Sequence, residues 1–117
     1  RGGLLVLIED DASLADNLTE VLQSRGFASV TAASALETER LGDISPFTAL
    51  VDLRMPGEVD GEAMRKLALR FPGLPMLVVT GHLEIAPPVH YEGYFAKPFD
   101  TTDLLAAIEH LYRAHHG

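Results

Sequence analysis

The chain has no cysteine. That excludes a disulfide framework, a thiolate metal site and a cysteine nucleophile, and it fits a reducing cytoplasm, where we expect the protein to work. Basic residues are also few. Nine Lys and Arg face seventeen Asp and Glu, for a formal net charge of -8. A chain so acidic is repelled by nucleic-acid phosphates and by anionic lipid, so neither direct nucleic-acid binding nor membrane attachment is expected. No apolar run approaches the ~20 residues that span a bilayer. The apolar start, Leu4 to Ile8, is too short for a signal-peptide core and reads as a strand. Internal repeats, linkers and low-complexity stretches are missing too. The first residue is Arg1 rather than methionine, as in a domain excised from a longer protein.

At 117 residues, 47% of them hydrophobic, the chain suits one compact domain over 1–117 with an ordinary core. Leu4 to Ile8 is apolar without alternation, the pattern of a strand covered on both faces. A helix follows, with Leu14, Leu18, Val21 and Leu22 at helical spacing, Asp11 or Ser13 as N-cap, and Gly26 as its stop. Phe27 to Thr31 reads as a weaker, edge-like strand. Ser34 to Glu37 has the form of a capping box that opens a short helix ending near Gly42. The central strand spans Phe47 to Leu53. After Asp60-Gly61 comes a third helix with Ala63, Met64, Leu67, Ala68 and Phe71 on one face, ended by Pro72-Gly73. Met76 to Thr80 is another buried-type strand.

Between His82 and Gly93 the rhythm calls for a fourth helix, but Pro87-Pro88 sits in the middle, so a short or distorted turn is expected there. A short strand around Tyr94 to Ala96 precedes a last helix from Thr101 or Thr102. That helix has Leu104, Leu105, Ile108, Leu111 and Tyr112 on one face and a frayed tail at His115 and His116. Strand–helix alternation repeated five times predicts an α/β fold, with a parallel sheet, right-handed crossovers and helices on both faces. In such sheets ligands bind beyond the carboxyl ends of the strands.

Each strand delivers chemistry to that edge. The first gives Glu9 and Asp10, with Asp11 just beyond; the third gives Asp52, the fourth Thr80 and the fifth Lys97. Two carboxylates ~4 Å apart repel by about 4 kcal/mol at an effective dielectric of 20, so a cluster must protonate or recruit a cation. Ligands that are all oxygen select a hard cation, Mg2+ before Zn2+. Mg2+ beside an ammonium and a hydroxyl suits a phosphoryl group, and Asp52 can serve as the nucleophile that accepts it.

These residues carry a resemblance. Glu9-Asp10-Asp11 after the first strand, Asp52 followed by Met55-Pro56 and Gly61, Thr80-Gly81, and Tyr94-Phe95-Ala96-Lys97-Pro98-Phe99 stand in the order seen in receiver domains of two-component response regulators. The chain resembles that family over essentially its full length. The resemblance implies a doubly wound, flavodoxin-like five-stranded sheet of order 2-1-3-4-5, here with its fourth helix short or distorted. It implies Mg2+-dependent phosphoryl transfer from a sensor histidine kinase or phosphotransfer protein to Asp52, and a signal passed to an effector domain or protein. The domain would be a signalling device that catalyses only its own phosphorylation and dephosphorylation.

Carried over position by position, Asp52 is the phosphoacceptor and a metal ligand. Asp10 is the second ligand, with Glu9 in support and the Arg54 backbone carbonyl as a third. The acid triplet admits a register one residue later, which would bring in Asp11; the strand length from Leu4 favours Glu9 and Asp10. Lys97 would pair with the phosphoryl oxygens, its bond to Pro98 cis. The Thr80 hydroxyl would move onto the phosphoryl group and Tyr94 would rotate inward behind it, a two-state switch.

Two departures from the family pattern stand out. Gly61 comes one residue late after Met55-Pro56, and the Thr80–Lys97 segment is several residues short. The second predicts altered or absent dimerisation through the face that the fourth helix usually helps to build. Two rival readings follow. A phosphorylation-independent interaction module would keep only the fold. A phosphatase using an Asp nucleophile would want a second Asp two residues on, where Arg54 stands.

Overall fold

A computed structural model describes residues 3–116, with only the backbone of His116. The apolar runs form strands β1 (Leu4–Ile8), β3 (Thr48–Val51) and β4 (Met76–Thr80), flanked by β2 (Ala28–Ala32) and β5 (Gly93–Ala96). All pair in parallel in the order β2-β1-β3-β4-β5, as expected. The helices are α1 (Ala12–Ser24), α2 (Ala35–Glu39), α3 (Glu62–Arg70) and α4 (Thr101–His116).

Alternation along the strands sorts the core into two layers. Leu5, Leu7, Leu50 and Leu77 face α1 and α4, meeting Leu18, Leu22, Leu104 and Ile108. Val6, Ala49, Val51 and Val78 face α2 and α3, meeting Ala35, Met64 and Leu67. With both faces covered, the strands need no polar side, which is why their sequences run apolar without alternation.

The caps act locally. Asp11 accepts the Leu14 N–H at 3.2 Å and opens α1. Gly26, at φ 83°, turns the chain out of that helix. Ser34 accepts the Glu37 N–H at 3.0 Å, while Glu37 reaches back to the Ala33 N–H at 2.8 Å, one residue before the cap itself. Helix α2 stops at Glu39, short of Gly42. Beyond its end, the carbonyls of Leu41 and Gly42 accept from the Arg70 guanidinium at 2.7 and 2.5 Å.

Several expectations are corrected. β2 starts one residue late, because the Phe27 amide closes the end of α1 by bonding to the Leu22 carbonyl at 2.9 Å, while its ring packs 5.6 Å from Phe47 and 5.3 Å from Tyr112. β3 is shorter than Phe47 to Leu53, although the Phe47 and Asp52 amides still bond to Leu4 and Ile8 of β1 at 3.0 Å. The tail does not fray at His115: α4 continues to His116, and the His115 ring lies 6.3 Å from Phe47.

The crossover between β4 and β5 contains turns and no helix. Two adjacent prolines lack the N–H groups a helix needs, and the span is short. Ile85 and Val89 pack partly buried against the α2–α3 layer in its place. No helix among the described residues is long and apolar enough to cross a membrane.

Candidate functional site

Register assembles the site. Ile8 of β1 lies opposite Val51 of β3, so Glu9 and Asp52, each one residue further, come abreast at the carboxyl edge. Thr80 of β4 lies opposite Ala96 of β5, and Lys97 follows, its amide bonded to the Thr80 carbonyl at 2.8 Å. The Lys97 Nζ donates to Glu9 Oε1 and to Asp52 Oδ2, both at 2.9 Å. Glu9 is only 3% exposed and Asp52 6%. The peptide bond between Lys97 and Pro98 is cis.

Asp10 is exposed at the mouth. Glu9, Asp10 and Asp52 each offer an oxygen, and these atoms lie within 4.8 Å of one another. Asp11 is outside this group. Its carboxylate caps α1, and its amide donates to Glu9 Oε2 at 3.1 Å.

Burial, the strongest influence on Glu9, pushes its carboxyl above the ordinary range, against the opposing bonds from Lys97 and the Asp11 amide. Burial also acts to lower the Lys97 ammonium, but the bonds to Glu9 and Asp52 together outweigh it and hold the lysine above its usual value. Two of the three carboxylates, Glu9 and Asp52, share the Lys97 ammonium. A hard divalent cation at the open Asp10 side fits this donor set, which is all oxygen and carries charge left over after Lys97.

Thr80 is fully buried, and its Oγ1 accepts the His82 N–H at 3.0 Å. Tyr94 is half-buried in the α2–α3 layer, its ring 5.9 Å from Tyr91. It pairs with Val78, two residues before Thr80, so Tyr94 and Thr80 share a face of the sheet. The Arg54 amide donates to Asp52 Oδ1 at 3.3 Å. Beside Lys97 opens a cleft of about 330 Å3 walled by Leu14, Leu18, Val21, Pro98 and Phe99.

Two groups at the site had no signal in the sequence. Asp60 grips the Arg54 side chain, and Glu58 accepts the Ala35 N–H with both carboxylate oxygens at 3.1 and 2.9 Å, holding the start of α2. Both are loop acids without periodicity, and their partners are set by tertiary folding.

A family model described as the response regulator receiver domain matches residues 5–109. The response regulator receiver protein Anae109_2439 of Anaeromyxobacter sp. (strain Fw109-5) is 62% identical over 106 residues, which cover 91% of this chain and 44% of that protein. The DNA-binding transcriptional regulator NtrC of Escherichia coli (strain K12) is 33% identical over 114 residues, covering 92% of this chain and 24% of NtrC. The chain thus spans less than half the length of these relatives. Among solved structures, the receiver domain of the sensor histidine kinase PA1611 from Pseudomonas aeruginosa PAO1 has a magnesium ion coordinated in its active site cleft. It matches with a TM-score of 0.79 at 22% identity, covering 95% of this chain and 98% of that one, a likeness of fold.

Proposed function

This chain belongs to the response regulator receiver domain family, and from that premise we propose that Asp52 accepts a phosphoryl group from a phosphohistidine, carried by a sensor histidine kinase or a phosphotransfer protein, with Mg2+ required. The observation that carries this reading is the buried Asp52 carboxylate, bonded to Lys97 and grouped with Glu9 and Asp10. Residues 1–117 then form one receiver domain.

In the proposed reaction an Asp52 oxygen attacks phosphorus. The new P–O bond forms as the P–N bond breaks, and its electron pair leaves on the donor imidazole, which takes up a proton. Mg2+ held by Asp10, Asp52, Glu9 and the Arg54 carbonyl would shield the charge on the phosphoryl oxygens. Lys97 shifts its hydrogen bond from the Asp52 carboxylate to a phosphoryl oxygen, keeping Glu9 as its second partner. Thr80 donates its hydroxyl proton to another phosphoryl oxygen, giving up its present bond from the His82 amide. Tyr94, on the same face, turns into the space that Thr80 leaves. About two negative charges arrive at a buried edge, enough to bias such a two-state element.

The domain is a signalling unit. In our reading it catalyses its own phosphorylation and dephosphorylation in the cytoplasm and passes its state to an effector domain or protein. The apolar cleft beside Lys97 supports a protein donor over a small molecule. The crossover without a helix supports altered or absent dimerisation through that face; a phosphorylation-induced dimer through it in solution scattering would contradict this. The same crossover favours a second reading, an interaction module that needs no phosphorylation.

One experiment separates the two. The chain is incubated with acetyl phosphate, with Mg2+ or with a chelator, and its intact mass is measured. We expect one added phosphoryl group with Mg2+, none with chelator and none in Asp52→Asn. Equal labelling of Asp52→Asn would overturn the assignment of Asp52. A wild-type chain that labels with neither acetyl phosphate nor a phosphorylated histidine protein would favour the module.

A further inference from the structure

The side chain of Arg54 takes no part in the reaction above, yet it is the cation nearest in sequence to the phosphoacceptor. Its backbone is already at the site, because its amide donates to Asp52 Oδ1. A long cationic side chain rooted there is drawn toward the cluster of three carboxylates next to it. It is found elsewhere. Arg54 Nε donates to Asp60 Oδ1 at 3.1 Å and Nη2 to Asp60 Oδ2 at 3.0 Å, a two-pronged pair. Nη1 lies 3.2 Å from His82 Nδ1 and 3.5 Å from Glu84 Oε2. Among the described residues the Arg54 ion pairs are with Asp60 and Glu84, whereas Lys97 alone pairs with Glu9 and Asp52.

Two cations could have neutralised the cluster, and only one does. With both Lys97 and Arg54 on them, the three carboxylates would retain one net negative charge instead of two. A divalent cation would then meet a weaker field and a like charge close by. The planar fork of arginine matches a carboxylate in one orientation, so Asp60 fixes the direction of the side chain as well as its distance. The residues that complete the hold, His82 and Glu84, come from the β4–β5 crossover, where side-chain contacts stand in for a helix.

We propose that Asp60 is a positioning residue of the phosphoacceptor site. Its two-pronged grip keeps the Arg54 guanidinium off Asp52 and Asp10 and so preserves the negative charge that holds Mg2+. This rests on the reading of Glu9, Asp10 and Asp52 as a Mg2+ site.

The test is a Mg2+ titration of the whole chain followed by amide chemical shifts, on wild type, Asp60→Asn, Arg54→Gln and the double variant. Thermal melts of each confirm folding. Asp60→Asn is expected to bind Mg2+ about threefold to tenfold more weakly, the effect of one released positive charge near a divalent ion in a largely solvated setting. In the Arg54→Gln background the same substitution is expected to add no loss, because there is no guanidinium to release. An unchanged affinity in Asp60→Asn would overturn the proposal. So would an equal loss in both backgrounds, since Asp60 would then act by its own charge and not through Arg54. A wild-type chain that binds no Mg2+ would overturn the underlying metal-site reading together with this one; binding by wild type with no effect of Asp60→Asn removes the proposal alone.

Discussion

The carboxyl ends of β1, β3 and β5 and the crossover between β4 and β5 border the same site, but they are built by different physics. At the strand ends, position follows from register. Glu9, Asp52 and Lys97 are each one residue past a paired strand residue, so the ladder that forms the sheet also sets their spacing. The crossover has no helix; its ends are tied to β4 by the His82 and Glu92 amides, and between them Ile85 and Val89 against the α2–α3 layer, Pro88 against Gly61, and His82 and Glu84 against Arg54 hold it from the side. The sheet therefore positions Glu9, Asp52 and Lys97 without help from a fourth crossover helix. What the missing helix removes is a surface; of the contacts that replace it, those of Pro88, His82 and Glu84 land on the loop after Asp52, and those of Ile85 and Val89 on the α2–α3 layer.

Substitutions sharpen this contrast, and the largest effect belongs to the strand ends. Lys97→Met leaves Glu9 and Asp52 as buried carboxylates without their cation. We expect a loss of about 3 kcal/mol in denaturant unfolding without metal, the low end for a broken buried pair because Lys97 is partly exposed. Added Mg2+ should narrow the gap to wild type, since the variant cluster binds the ion more tightly and binding stabilises the folded state. A loss under about 1 kcal/mol would mean that the ammonium does little to hold the edge together.

The middle effect lies where the two regions meet. Gly61 has φ 77°, and a Cβ there would come within 2.9 Å of the Pro88 ring. Gly57 has φ 76° with nothing within 4 Å. Gly57→Ala therefore carries only the backbone cost, about 1 kcal/mol, and Gly61→Ala about 2 kcal/mol or more. Pro88→Ala should recover the difference between them in unfolding experiments. Equal costs at both glycines would show that the crossover does not press on this loop.

The smallest effect belongs to the crossover itself. Leu83 is 64% exposed, so Leu83→Ser should change stability by less than about 0.5 kcal/mol and leave the rate of labelling by acetyl phosphate unchanged. A large change in either would give the crossover a structural role beyond its anchors.

The same contrast decides what was legible in the sequence. The strands could be read because burial on both faces writes itself as an apolar run, and the acids, Thr80 and Lys97 could be read because each ends such a run. The caps Asp11 and Ser34 were legible because their partners are three residues away. The end of α2 was not, since the chain just past it is held by Arg70, 28 and 29 residues on from Gly42 and Leu41. The start of β2 is one residue off because an apolar Phe27 reads as strand, whereas its amide belongs to the cap of α1 and bonds to the Leu22 carbonyl. Asp60 and Glu58 leave no trace in the sequence, because their partners are chosen by tertiary packing and not by spacing.

On the proposed reading, the phosphoryl group is carried by Asp52 and by no neighbouring acid. Reductive trapping reads the site of the acyl phosphate itself. The chain is phosphorylated with acetyl phosphate and Mg2+, treated with borohydride to convert the acyl phosphate to the alcohol, and mapped by peptide mass spectrometry. Homoserine is expected at position 52, with Asp10, Asp11 and Asp60 unmodified. Reduction at any of those three, with Asp52 intact, would contradict that reading.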